Sequence, residues 1–309
     1  MHLLHLLMTP QIFSVLALFL AAVWMLADEK DKTRPWLVFA LVLNLFYGVL
    51  LTILMGREGS LFPWKFDHLL FRADASLGVQ AAAIARPLQG FWRVPLWVVY
   101  ELMVPMMIVW FLVTRYRNVR ASVVLAYAAE LVTGPLLYAA FPACGPRYAF
   151  GGLWLHPGAV PAGAIRLAGL PNAFPSLHIG TAFVFVLLAP GKLWKAVALA
   201  FLACTCLATL STGEHYVIDL IPGLAFGAFA AAVGSKNLRQ SAVFLGIALA
   251  WTLTMRLDSS ILIAYPVVIR SFAAVTVIAA VFAMRVQWRE LAEKADEICA
   301  PCAMAPEPE

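Results

Sequence analysis

The sequence predicts an all-α, polytopic transmembrane helix bundle of about eight or nine spans. Three observations carry this. The chain is 63% hydrophobic and only 13% charged, with a mean hydropathy of +0.86, a composition whose preferred solvent is lipid. Its apolar residues fall into runs long enough to cross a hydrocarbon core of about 30 Å. Its charges gather in short clusters between those runs, where loops meet water.

Taken in order, the expected spans are 10–27, 36–55, 95–113, 121–140, 174–190, 194–210, 217–234, 241–256 and 261–284. Residues 1–27 lack a basic region before the apolar stretch and lack a small-residue cleavage pattern, so they read as a retained helix rather than a signal peptide. Segment 57–94 differs in kind, because it mixes Arg57, Lys65, Asp67, Arg72, Asp74, Arg86 and Arg93 with Phe62, Trp64, Phe66, Phe71, Phe91 and Trp92. Such a blend suits helices lying in the membrane interface, or equally an amphipathic helix buried against the bundle.

Lys30, Lys32 and Arg34, then Arg115, Arg117 and Arg120, Lys192 and Lys195, Lys236 and Arg239, and Arg285, Arg289 and Lys294 all fall on one side of these spans. That side is expected to be cytoplasmic, since short basic loops resist translocation. The net charge of +5 fits this distribution and calls for no nucleic-acid partner. Segments 144–148, 174–178 and 211–219 fall on the opposite side.

Glu101, Glu130 and Arg270 lie inside expected spans. Pairing Arg270 with either glutamate would lower the cost of insertion. Cys204 and Cys206 sit within a span and read as packing residues. Cys144 lies alone on the outer side, and Cys299 and Cys302 form a lone C-x-x-C, half of a zinc site at most. No group of carboxylate, Cys or His residues on the outer side has ligand spacing, so neither a metal nor another cofactor is expected.

The chemistry is carried by Pro175-Ser176-Leu177-His178 and Gly213-Glu214-His215-Tyr216-Val217-Ile218-Asp219. On a helix beginning near residue 214, His215 and Asp219 share a face, so the carboxylate can accept from one imidazole nitrogen and leave the other free to attack. Taken alone, such a pair is more often a capped interfacial histidine. Pro175 marks a helix start, and Ser176 can cap it or donate to a ligand. The helix N–H groups beyond it suit a phosphate. Both motifs and Cys144-Gly145-Pro146-Arg147-Tyr148 return to one membrane face. The combination points to phosphoryl transfer rather than to a proton or ion carrier, which more typically places its polar groups near the midplane. His156 and Arg166 read as interfacial residues.

These residues resemble the type 2 phosphatidic acid phosphatase superfamily, and within it the branch of inositol phosphorylceramide synthases and related bacterial inositolphosphotransferase-like proteins. Phe174 to His178 and Gly213 to Asp219 carry the resemblance, with Phe141 to Tyr148 as a looser match. It implies a six-helix catalytic core within 57–240; the apolar runs add helices at 1–56 and 241–284, and the basic clusters make 285–309 a cytoplasmic tail. It implies His215 as the nucleophile forming a phosphohistidine, Asp219 orienting it and His178 protonating the departing alkoxide. Arg147, Ser176, Tyr148 and Tyr216 would contact the substrate.

The chain departs from the phosphatase pattern where a Lys precedes an Arg-Pro, since Ala140 and the order Pro146-Arg147 stand there. It departs again where Ser-Arg precedes the third motif, since Ala208 and Thr209 stand there. With two cations missing, a doubly charged monoester is poorly compensated, and a singly charged phosphodiester asks for less. The expected activity is therefore transfer of a phosphate-containing head group from a phospholipid donor to a lipid alcohol. Water as the acceptor, in a lipid phosphate or prenyl pyrophosphate phosphatase, is the alternative. The expected setting is a bacterial inner membrane, with the site facing away from the cytoplasm.

Overall fold

Inside lipid every backbone N–H and C=O must find a partner within its own segment, and long apolar runs therefore become helices. A computed structural model describes residues 34–114, 117–156 and 160–299; the expected span 10–27 and Cys302 lie outside them. The helices are α1 (Arg34–Leu61), α2 (Asp67–Leu77), α3 (Ala81–Ala85), α4 (Arg93–Glu101), α5 (Met103–Val113), α6 (Arg117–Ala140) and α7 (Pro146–Phe150). There follow α8 (Leu177–Leu187), α9 (Gly191–Thr212), α10 (Val217–Gly234), α11 (Leu238–Leu257), α12 (Ser259–Ala264) and α13 (Pro266–Cys299). A two-stranded antiparallel ribbon joins β1 (Trp64–Lys65) to β2 (Ile165–Arg166), with Trp64 opposite Arg166.

Among the described residues, five helices are long and apolar enough to cross a membrane: most of α6, all of α9, α10 and α11, and most of α13. The expected span 95–113 is instead two helices, α4 and α5, bent by 67°. Pro105 explains the break, because it has no N–H to offer the carbonyl of Glu101 four residues back. The expected span 174–190 shortens to α8, 11 residues long, because Ala173 to Ser176 run outside the helix. The expected span 261–284 is interrupted at Tyr265, held at φ −117° and ψ 87° by the proline that follows it.

Segment 57–94 divides between its two readings. In α2, Asp67, Leu70, Ala73 and Asp74 are buried, so one face packs into the bundle. Phe91 and Trp92, just before α4, are exposed, as interfacial anchors are.

α10 forms the centre, packed against α6, α8, α11 and α13. Apolar burial gives little drive for helix association in lipid, so close backbone approach between small residues does this work. A Cβ on Gly227 would stand 2.3 Å from the Gly180 carbonyl oxygen, and one on Gly223 would stand 2.8 Å from that of Ser176. Gly227→Val is therefore expected to cut the yield of monodisperse protein about tenfold, an overpacking cost of roughly 2–3 kcal/mol. Wild-type elution on size-exclusion chromatography and wild-type heat stability would refute the crossing.

The expected pairing of Arg270 with Glu130 or Glu101 does not occur. Arg270 Nε donates to the Leu77 carbonyl at the end of α2, 3.2 Å away, because the start of α13 lies beside that unpaired helix terminus. Glu130, buried between α6 and α8, accepts the Thr181 hydroxyl at 2.6 Å.

The helix ends sort by charge. Trp288 Nε1 donates to the Val186 carbonyl near the end of α8, and Lys195 stacks on the Trp288 ring. Gly234, at the end of α10, lies against Ser122 of α6. The basic clusters around 120, 192–195, 236–239 and 285–289 thus gather at one end of the bundle. His178 and His215 occupy the other.

Candidate active site

The site begins with the end of α9. Gly213 takes φ 74° as its left-handed cap, a conformation that costs glycine nothing. The chain then folds back, and Glu214 N–H donates to the Thr209 carbonyl at 3.1 Å. Tyr216 is extended at φ −90° and ψ 161°, and α10 starts only at Val217. His215 therefore precedes the helix instead of lying on it, a correction to the expected start near 214. Its Nδ1 nevertheless reaches Asp219 Oδ2 at 3.4 Å.

A closer partner was hidden from sequence reasoning. The Ala173 carbonyl oxygen lies 2.9 Å from His215 Nδ1. A carbonyl only accepts, so Nδ1 carries the proton and Nε2 keeps its lone pair. Asp219 Oδ2 also accepts the Tyr216 N–H at 2.8 Å, and the Asp219 carbonyl accepts the Ser176 N–H at 3.2 Å. These bonds lace the two histidine motifs together. Burial holds the His215 imidazole at about 4, below its ordinary range, against the opposing pull of Glu214 and the Ala173 carbonyl. The ring is therefore neutral at physiological pH.

Ser176 is the N-cap of α8, its Oγ accepting from the Ile179 N–H at 3.4 Å. Pro175 thus precedes the cap. His178, in the first turn, presents its ring edge-on to His215 with centroids 5.7 Å apart. Its other neighbour is Tyr100, stacked at 4.1 Å from the end of α4. The bend between α4 and α5 falls immediately after that tyrosine.

The third segment reaches the site through α7. Gly145, at φ 87°, passes so close to the Glu214 carbonyl that a Cβ would lie 2.1 Å from its oxygen. The Arg147 N–H donates to the Gly213 carbonyl at 2.9 Å. The Arg147 side chain is 50% exposed, with a guanidinium nitrogen 3.9 Å from Glu214 Oε1. Tyr148 is also half exposed and donates its hydroxyl to the same oxygen at 2.9 Å. Burial and the Glu214 carboxylate push that phenol up to about 12. Burial also raises the Glu214 carboxyl, opposed by Tyr148, His215 and Arg147.

Arg147, Tyr148, His178, His215 and Asp219 thus converge at one end of the bundle, with Ser176 buried beneath them. Tyr216 points away from them. It is fully buried, and its hydroxyl donates to Asp67 at 3.0 Å. His156 and Arg166 are exposed, Arg166 within the β ribbon. Cys144 is buried, and burial pushes its thiol to about 12.

Two aspartates of α2 were not singled out from sequence. Asp67 Oδ1 accepts the Gly145 N–H at 2.9 Å and Oδ2 the Cys144 N–H at 3.1 Å. Asp74 accepts from Val217 at 3.0 Å, from Ile218 at 2.8 Å and from Ala81 at 3.3 Å, capping the start of α10 from another helix. Burial raises the Asp67 carboxyl to about 6 even against these donors. The available signal was spacing: carboxylates seven residues apart, with Leu70 and Ala73 between them, mark one buried helix face.

No curated protein and no solved structure shows significant similarity to the chain. Residues 68–233, more than half of the sequence, match the PAP2 superfamily. This stretch runs from α2 through α10 and contains both histidines, Arg147 and the capping Asp74. The chain belongs to the PAP2 superfamily, and it is an integral-membrane enzyme of the lipid phosphatase and phosphotransferase type.

Proposed function

We propose that the enzyme transfers a phosphate-containing head group from a phospholipid to a lipid hydroxyl, as its motifs' resemblance to inositol phosphorylceramide synthases suggests. His215 Nε2 attacks phosphorus, forming the P–N bond as the P–O bond to the diacylglycerol oxygen breaks. His178 delivers a proton to that oxygen. In the second half His178 takes the proton of the acceptor hydroxyl, whose oxygen bonds to phosphorus as the P–N bond breaks. Asp219 and the Ala173 carbonyl hold His215 in the reactive tautomer. Arg147 and the first N–H groups of α8 take the phosphoryl oxygens, and the site faces away from the basic, cytoplasmic end of the bundle.

One observation carries the choice of donor. The three motif segments contribute a single guanidinium, Arg147, and it already faces Glu214, a charge balance suited to one negative charge rather than two. Hydrolysis of a lipid phosphate or prenyl pyrophosphate is the second reading, favoured by the half-exposed Arg147 and Tyr148, which leave the rim open to water.

Purified protein offered labelled phospholipids and lipid phosphates, with and without ceramide or diacylglycerol, separates the two. Label on the acceptor lipid establishes transfer. Release of phosphate to water alone establishes hydrolysis and overturns the transferase reading.

A further inference from the structure

Glu214, the residue before the proposed nucleophile, enters none of these steps, yet its buried carboxylate faces both Arg147 and Tyr148. Its side chain is only 8% exposed, and Oε1 lies 2.9 Å from the Tyr148 hydroxyl and 3.9 Å from the Arg147 guanidinium. The backbone fixes it as well. Its N–H bonds back to Thr209, and its carbonyl is pressed against Gly145, where no side chain fits. A phosphoryl oxygen hydrogen-bonded to that guanidinium nitrogen lies within about 7 Å of this carboxylate. Glu101 lies within electrostatic range of it too, as do Tyr100 and His215, so a second acid stands near the carboxylate that faces Arg147.

We propose that Glu214 is the specificity-determining residue of this site, setting the charge of the phosphate it accepts: it admits a singly charged phosphodiester and disfavours the dianion of a phosphate monoester. This rests on the phosphotransferase reading and supplies its physical basis. Repulsion scales with the charge brought near the carboxylate. A monoester, whose second ionisation lies near pH 6, brings about twice that of a diester at neutral pH. The same carboxylate holds Arg147 by charge, and a dianion must compete with it for the guanidinium.

The test compares kcat/KM for phosphatidate with kcat/KM for a phosphodiester lipid on one preparation at pH 7.5, for wild type, Glu214→Gln and Glu214→Asp. The ratio does not depend on the fraction of protein that folds. Gln keeps an oxygen for the Tyr148 hydroxyl and removes the charge, so the monoester-to-diester ratio is expected to rise at least about tenfold, a change of roughly 1.4 kcal/mol in relative barrier. Asp keeps the charge and is expected to hold the ratio near wild type. At pH 5 the monoester carries one charge and the Glu214 carboxyl, raised by burial, loses part of its own, so the gap between Gln and wild type is expected to close.

A ratio unchanged in Glu214→Gln, with both substrates slowed alike, would assign Glu214 a purely structural role and overturn the proposal. Product analysis in the same assays keeps the two readings apart. With ceramide or diacylglycerol present, release of the phosphate or phosphorylated head group to water alone by the wild type would refute transfer, while a raised ratio in Glu214→Gln would still establish the charge filter.

Discussion

Replacing His215 by Ala is expected to abolish turnover, with a loss of at least about a thousandfold, because no neighbouring group can take over covalent attack. Radiolabel from the donor should no longer be retained on the denatured protein. Truncation at Cβ leaves the turn's backbone bonds from the Glu214 and His215 N–H groups to the Thr209 carbonyl in place, so the variant should elute as the wild type does. Asp219→Asn should be milder, costing roughly ten- to a hundredfold. The Ala173 carbonyl at 2.9 Å still fixes the Nδ1–H tautomer, a second restraint that triads relying on the carboxylate alone lack. Full turnover or retained label in His215→Ala would remove the mechanism.

The same ring predicts a pH response. Its pKa lies near 4 rather than the ordinary 6.5, and the proposed nucleophile is the neutral form, present above the folded pKa. His178 must carry the proton it delivers, a state that acidification favours, so the rate of single-turnover protein phosphorylation should not fall between pH 7 and pH 5 and should decline only toward pH 4. An acid limb centred near 6.5 would show an imidazole far better solvated than the one described above.

Asp74→Ala carries the second large effect. It strips the acceptor from the Val217 and Ile218 N–H groups, at 3.0 and 2.8 Å, and from Ala81. The Ile218 and Ala81 bonds are fully buried, and each such donor left without a partner costs about 1–3 kcal/mol, so the variant should lose roughly 2–6 kcal/mol of stability. Turnover of the fraction that folds should fall about a hundredfold as the turn holding His215 loosens. Asp74→Asn, which keeps one accepting oxygen, should fall between the two. Thermal unfolding in detergent and kcat on the surviving fraction check both parts, and wild-type values for both would show that Asp74 anchors nothing.

Such an anchor was hard to read from the chain. Apolar runs are local and long, so 119–140, 191–212, 217–234 and 238–257 announce themselves as crossing helices. His178 and His215 were legible because ionisable groups beside such runs are costly and stand out. Asp67 and Asp74 sit among arginines and aromatics, where an acid looks solvated. Only the fold turns them inward onto backbone groups 78 and 144 residues away. The helix start at Val217 was likewise set from outside, by Asp74 as acceptor and by the left-handed Gly213. The Ala173 carbonyl leaves no sequence trace, since every residue but its neighbours' packing is silent about which carbonyl points at a ring. Arg270 failed to find Glu130 because its reach was satisfied first by the free carbonyl of Leu77.

The placement of both histidines at the same end of the bundle, one in the first turn of α8 and one just ahead of α10, changes what substrate concentration means for this enzyme. A lipid headgroup arriving at that height travels within a two-dimensional sheet, and the encounter frequency follows its mole fraction among neighbouring lipids. Adding inert phospholipid or detergent at fixed bulk substrate dilutes the reactants without altering their molarity. Velocity is then a function of surface density, and a Michaelis constant written in moles per litre describes the vesicles rather than the protein.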